Sequence, residues 1–230
     1  MVKLSCIIIA LNEEKYLSKL LESLKNQSFQ DFEIIVADYN SKDKTREIAR
    51  KYGCKIVDGG RASVARNNGA KKAKGDYLLF LDADGWFPEN FLKENLKEFK
   101  KSKKGVGTII VKPLSDKLID KFLYKLYNFW VIAMLKISPH ASGCAIFARK
   151  DVFDKVKGFD ESIVFAEDHA FARKAKKYGF IMLPVEAYTS TRRLEKEGRL
   201  SIARKFIYCG IRRLVYKEVD KELFKYDDVR

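Results

Sequence analysis

Residues 76–87 read DYLLFLDADGWF, and the reading of that stretch decides the fold. Tyr77-Leu78-Leu79-Phe80-Leu81 is an apolar run of strand length that stops at two aspartates, Asp82 and Asp84, with Ala83 between them. A run without polar alternation suits a strand covered on both faces, as in a parallel sheet. Two carboxylates at its end repel each other and lose hydration, so the sequence predicts a compensating positive charge beside them.

The same grammar repeats on either side. Leu4 to Ala10 is an apolar run broken only by Ser5, and Asn12 reads as the cap of a helix with Glu13 and Glu14 in its first turn. Leu17, Leu20, Leu21 and Leu24 then recur at helical spacing. Residues 32–37 form a second strand ending at Asp38, 45–52 a helix closed by Gly53, 55–57 a short strand, and 63–73 a helix. Strands alternating with helices predict an α/β fold: a doubly wound, mixed but mostly parallel sheet with helices on both faces. Ligands of such sheets sit beyond the carboxyl ends of the strands, and Asn12, Asp38, Asp82 and Asp84 all fall there. Each alone reads as a cap or turn residue; together they define a site.

The second half is less regular. Helices are expected over 88–101, 118–137 and 165–177, strands over 108–111, 144–148 and 180–183, and an amphipathic helix over 201–217. No Pro/Gly/Ser-rich linker interrupts the chain. The expected organisation is one domain over 1–193, divided at 105 into a nucleotide-binding half (1–105) and an acceptor half (106–193), with a basic helical extension over 194–230. The stripe Leu118, Phe122, Leu126, Phe129, Trp130 and Ala133 is expected to pack in the core. Its intermingled lysines make a membrane-facing helix the alternative.

Of the 230 residues, 47% are hydrophobic and 33% charged, enough for a sizeable core. The net charge of +15, concentrated at 97–104 and 192–217, favours anionic partners. A nucleic-acid-binding protein is the non-enzyme alternative, but no recognised motif supports it and acidic strand ends oppose it. No G-x-G-x-x-G follows the first strand, which argues against a dinucleotide-dependent oxidoreductase. Cys6, Cys54, Cys144 and Cys209 lack the spacing of a zinc site or a disulfide framework. With no signal-peptide layout at the N-terminus, a reducing cytoplasm is expected. The apolar stretch 129–135 is too short to span a bilayer.

A hard divalent cation, Mn2+ or Mg2+, held jointly by Asp84 and substrate phosphates, is the economical answer to the paired aspartates. Here the motifs are informative in order: IIIALNEEKYL, DYNSKDKT, ARNNGAKKAKGDYLLFLDAD and GFDESIVFAEDHAFARKAKKYG. The series resembles the family-2 inverting glycosyltransferases with the GT-A fold, from about Leu4 to about Arg193. The resemblance implies transfer of a sugar from a UDP- or GDP-linked donor to an acceptor hydroxyl. It also implies that Asn12, Glu13, Asp38, Arg66, Asp82 and Ala83 surround the nucleotide-sugar, that Asp84 ligates the metal, and that Asp168, beside Glu167, is the general base. Tyr39 departs from the family pattern, where a second aspartate is usual, and Ile9 stands where many relatives have proline. No histidine follows His169, and His169, one residue from Asp168, is expected to point elsewhere on the helix. The basic tail and aromatic helix suggest a lipid-linked acceptor and peripheral attachment to the inner face of an anionic membrane. LFLDADGWF also resembles the nucleophile loop of haloacid-dehalogenase-type phosphatases, with Asp82 attacking and Asp84 donating a proton. That alternative leaves DYNSKDKT and ARNNG without a role.

Overall fold

The computed structural model describes residues 3–163, 166–202 and 204. In chain order, β1 (Leu4–Ala10) leads to α1 (Leu17–Lys25), β2 (Phe32–Asp38), α2 (Thr45–Lys51), β3 (Lys55–Asp58), α3 (Ala62–Lys72) and β4 (Tyr77–Asp82). There follow β5 (Gly85–Trp86), α4 (Phe91–Ser102), β6 (Val106–Thr108), β7 (Val111–Pro113), α5 (Leu118–Met134), β8 (Ala145–Arg149) and α6 (Lys150–Lys155). α7 (Glu167–Ala175) runs into a 3-10 turn over Lys176–Tyr178, and β9 (Phe180–Met182), β10 (Ala187–Thr189) and α8 (Arg192–Glu197) complete the described elements.

Seven strands form the main sheet in the order β3-β2-β1-β4-β8-β6-β9. The β1–β2, β2–β3, β1–β4 and β6–β9 pairs are parallel, and β8 is antiparallel to both β4 and β6. Strand order reverses at β1, so the β1/β4 edge is a topological switch point, where ligand crevices open. Side chains of β1 alternate between two cores as the pleat requires. Leu4, Cys6, Ile8 and Ala10 pack with Leu17, Leu20, Leu21 and Leu24 of α1 and with Phe91, Leu96 and Phe99 of α4. Ile7 lies on the opposite face with Ala70 of α3 and Phe171 of α7. Both faces are covered, and all seven residues of β1 are buried.

Several expectations are corrected. Asn12 does not cap a helix: it has φ 54°, and α1 begins only after Tyr16. Its side-chain Oδ1 instead accepts from the Lys42 backbone amide at 2.8 Å, fastening the first loop to the second. The strand expected over 108–111 is two strands in different sheets, because β7 joins β5 and β10 in a separate three-stranded sheet. The stripe on α5 is not in the core. Leu118, Phe122, Leu126, Phe129, Trp130 and Ala133 are all exposed, and the helix buries Asp120, Val131 and Met134 instead. Most of the amphipathic helix expected over 201–217, and Phe165 of the helix expected over 165–177, lie outside the described residues.

Candidate active site

The register of the main sheet sets Asp82 opposite Ile9, and Asp38 opposite Ala10, so the strand-end carboxylates share one edge. The charges that compensate the paired aspartates are two arginines. Arg66, from α3 and 1% exposed, lies beneath the edge and donates to Asp82 Oδ1 at 3.1 Å and to Glu167 Oε1. Arg192, at the start of α8, places Nε 3.1 Å from Asp84 Oδ2. Its other nitrogens grip Glu13 in a bidentate pair at 2.6 and 2.7 Å, and its Cζ stands 4.6 Å from the Tyr16 ring centroid. Burial works against the charge on Arg192, but Glu13 and Asp84 outweigh it and raise its pKa.

The small sheet explains how residue 192 reaches residue 84. β5 follows directly on Asp84 and pairs antiparallel with β10, Gly85 opposite Thr189. Ser190 therefore lands beside Asp84, donating its hydroxyl to Oδ2 at 2.6 Å, with the Thr189 hydroxyl 3.3 Å from Oδ1. Strands of two and three residues carry no readable period, so Ser190 and Arg192 were invisible as site residues. The signal that could have found Arg192 is the demand of Asp84 for a cation.

β8 completes the mouth. Leu81 pairs with Ala145, which brings Gly143 up to the aspartates. The Gly143 amide donates to Asp168 Oδ2 at 2.9 Å. A Cβ at Gly143 would stand 2.9 Å from Arg66 Nη2, 3.1 Å from Asp82 Oδ2 and 3.4 Å from Asp168 Oδ2. One glycine thus touches residues from α3, β4 and α7. Asp168 lies in the first turn of α7, where the helix dipole favours a carboxylate. His169 does not point away: it is 6% exposed, with Nε2 3.8 Å from Asp168 Oδ1, and its ring meets that of His140 at 4.5 Å. The adjacent Cys144 thiol is pushed well up, first by burial and then by Asp82 and Asp84.

Other assigned residues are placed less directly. Glu13 is 1% exposed behind Arg192, and Ala83 turns its methyl into the core, leaving only its backbone to face a ligand. Asp38 is buried at the end of β2. Its Oδ2 accepts from the Ser41 amide at 3.2 Å and faces Arg46 Nε at 3.7 Å, while Oδ1 makes no hydrogen bond. In DYNSKDKT, Ser41 and Thr45 accept from the amides of Asn12 and Glu13, and Asp43 from that of Glu14, so the motif braces the first loop. Among the described residues no group of three or more His, Cys, Asp or Glu could hold a metal ion. A hard cation bound by one or two carboxylates and by substrate phosphates needs no such group; Asp84 and Asp82 are oxygen donors of that kind, and a cation on Asp84 would share its carboxylate with Arg192 and Ser190.

The mixed sheet defines a class: solved structures of similar fold include glycosyltransferases, and the fold is GT-A-like. The sequence matches the family described as Glycosyl transferase family 2 over residues 5–157, and the chain belongs to that family. It is 29% identical over 192 residues to the poly(ribitol-phosphate) beta-N-acetylglucosaminyltransferase TarS of Staphylococcus aureus, covering 76% of this chain and 32% of TarS. The chain thus spans about a third of that relative. The crystal structure of TarS 1-349 with UDP superimposes with a TM-score of 0.66 at 25% identity, covering 84% of this chain and 62% of that one. A second relative is the dolichyl N-acetyl-alpha-D-glucosaminyl phosphate 3-beta-D-2,3-diacetamido-2,3-dideoxy-beta-D-glucuronosyltransferase of Methanococcus voltae. It is 27% identical over 229 residues, covering 89% of this chain and 69% of that protein. The mannosyltransferase PcManGT of Pyrobaculum calidifontis, solved with GDP-Man and Mn2+, matches with a TM-score of 0.69 over 90% of this chain and 64% of that one. At 18% identity that likeness speaks for the fold alone. These relatives leave the phosphatase and nucleic-acid readings without support.

Proposed function

We propose that the chain moves a sugar, with inversion at the anomeric carbon, from a UDP- or GDP-linked donor to an acceptor hydroxyl in a reaction that depends on Mn2+ or Mg2+. The observation that carries this reading is the convergence of Asp82, Arg66 and Asp168 on Gly143 at the strand-end edge of a family-2 chain. Residues 1–105 serve the donor and 106–193 the acceptor, with 194–230 as an extension. Asp38 offers an unpaired, buried acceptor oxygen to an N–H of the base. Asn12, Glu13 and the backbone of Ala83 line the donor side. Arg66 holds Asp82 and Glu167 in place from below.

Asp168 takes the proton of the acceptor hydroxyl as that oxygen bonds to the anomeric carbon. The bond between that carbon and the phosphate oxygen breaks at the same time, and the nucleoside diphosphate leaves, so no covalent enzyme intermediate forms. Asp84, with Asp82 beside it, would hold a divalent cation, which would supply charge neutralisation for the leaving diphosphate. A lipid-linked acceptor is the second part of the reading. It is supported by the relative from Methanococcus voltae, whose name specifies a dolichyl phosphate sugar. It places the chain at the cytoplasmic face of a membrane. No helix among the described residues is long and apolar enough to cross one.

A thermal-shift series with UDP, GDP and their sugars tests the donor half. The stabilisation should be larger with manganese or magnesium than without, because protein and diphosphate share the ion. A shift that ignores both metal and nucleotide overturns the reading.

A further inference from the structure

Helix α5 is apolar on its outer face as well as on the inner one, where Val131 and Met134 are buried. Its inner face is fastened by polar groups: Asn128 donates to the Val111 carbonyl at 2.7 Å and accepts from the Val111 amide at 3.1 Å. Asp120, fully buried, is held by Arg199. Its outer face carries Leu118, Phe122, Leu126 and Phe129, exposed by 83, 62, 55 and 69%, with Trp130 at the margin and Ile137 just past the end. Residues three and four apart share one side of a helix, so these four form a single ridge. A surface helix in water turns a polar face outward, and a contiguous apolar patch of this kind marks an interaction site.

We infer that the outer face of α5 is a docking surface for an anionic lipid bilayer, on which the helix lies parallel to the membrane plane. The charges beside the ridge select this occupant. Lys117, Lys121 and Lys125 recur along one flank, Lys136 follows the last turn, and all four are exposed. The one acid within α5 is the buried Asp120; just outside it Glu195 pairs with Lys117 and Asp116 with Lys121, so four lysines face two acids and the flank stays basic. A second copy of the chain would bring a second lysine row against the first. The tail over 201–217 would bring five basic residues and no acid. Anionic headgroups complement the row instead, and the acyl boundary takes the ridge. The helix is too short and too charged to cross a membrane, so it lies on the surface.

The placement also joins the docking face to the site. Trp130 meets the His140 ring at 6.4 Å, His140 meets His169 at 4.5 Å, and His169 adjoins Asp168. The inference rests on the lipid-linked acceptor reading for its purpose, but bilayer binding is measured without any transfer.

The test is co-sedimentation of the full chain with phosphatidylcholine vesicles, with and without phosphatidylglycerol, at low and high salt. The wild type should bind the anionic vesicles in a salt-sensitive way. A variant with Phe122→Ser and Phe129→Ser should bind about tenfold more weakly or worse, while keeping the thermal shift with UDP or GDP and manganese. Lys121→Gln with Lys125→Gln should erase the preference for anionic lipid. Wild type and serine variant sedimenting alike, or not at all, overturns the inference. Loss of a dimer in the serine variant without vesicle binding overturns it in favour of a second copy. Binding that falls only with Arg212→Gln and Arg213→Gln overturns it in favour of the tail. Vesicle binding without a nucleotide response sinks the transferase reading and leaves the docking surface standing; the converse sinks only the docking surface.

Discussion

Arg192 shows how much one side chain can hold together. It bridges Glu13, which is 1% exposed, and Asp84 at the mouth. Arg192→Ala leaves Glu13 buried without its bidentate partner, and removing one member of a buried pair costs about 3 kcal/mol. Adding Glu13→Gln should recover about 1 kcal/mol of that loss, because the stranded charge goes with it. Denaturant titration of the two single variants and the double variant measures the coupling; strictly additive losses would mean that the pair does not act as one. For the reaction, Asp168→Asn should keep nucleotide-sugar binding and lower turnover by about 10²- to 10⁴-fold. Near-normal turnover in that variant would move the base to Glu167. Gly143→Ala asks a different question. Its methyl must displace Arg66 or the carboxylates of Asp82 and Asp168, so turnover should fall more than thermal stability does.

Among the described glycines, Gly69 of α3 sits closest to a neighbouring element, β1. A Cβ on Gly69 would land on the Cγ2 of Ile7, in the middle of a fully buried strand. Gly69→Ala should therefore cost about 1–3 kcal/mol by overpacking, read as a lower urea midpoint at unchanged slope. A neutral result would show that α3 can shift off the sheet. Elements of this kind were legible in the sequence because β1, β2 and β4 are mostly apolar, broken only by Ser5 and Glu33 before the terminal aspartates of β2 and β4, and α1 and α4 repeat their apolar residues at helical spacing. The aspartates at the strand ends were legible as a group: each alone passes for a cap or turn residue, but several at the carboxyl ends of neighbouring strands do not. What surrounds Asp84 was not legible. Its hydroxyl and guanidinium partners come from more than a hundred residues away, through strands too short to carry a pattern. The facing of α5 was misread because periodicity locates an apolar stripe without saying what lies against it. In DYNSKDKT only Asp38 was read as a ligand residue; Asp43, Ser41 and Thr45 had no assigned role, and they turn their oxygens to the backbone of the neighbouring loop.

At the scale of the whole molecule, acid should loosen the fold through carboxylates that hold it together. Burial pushes the Asp43 carboxyl up, but hydrogen bonds from the Thr45 hydroxyl and from the Glu14 and Thr45 amides hold it below its ordinary 3.8. Arg199, chiefly, does the same for Asp120 against its burial. A depressed folded pKa contributes stability that is complete above 3.8 and is lost as pH falls through the lower folded value. Melting temperatures from about pH 5 down to about pH 2 should drop, and less steeply with Asp43→Asn or Asp120→Asn. Equal slopes in wild type and variants would exclude both groups. The Arg192–Glu13 pair joins residues 179 positions apart, and that separation has a consequence in time. Chains emerge from synthesis N-terminus first, at about 5–20 residues per second. β1, β2 and β4 can pair long before residue 192 exists, leaving Glu13 and Asp84 without its guanidinium. The half-made chain can thus carry the β1, β2 and β4 part of its sheet with Glu13 and Asp84 bare at its edge, until α8 arrives and Arg192 covers Glu13.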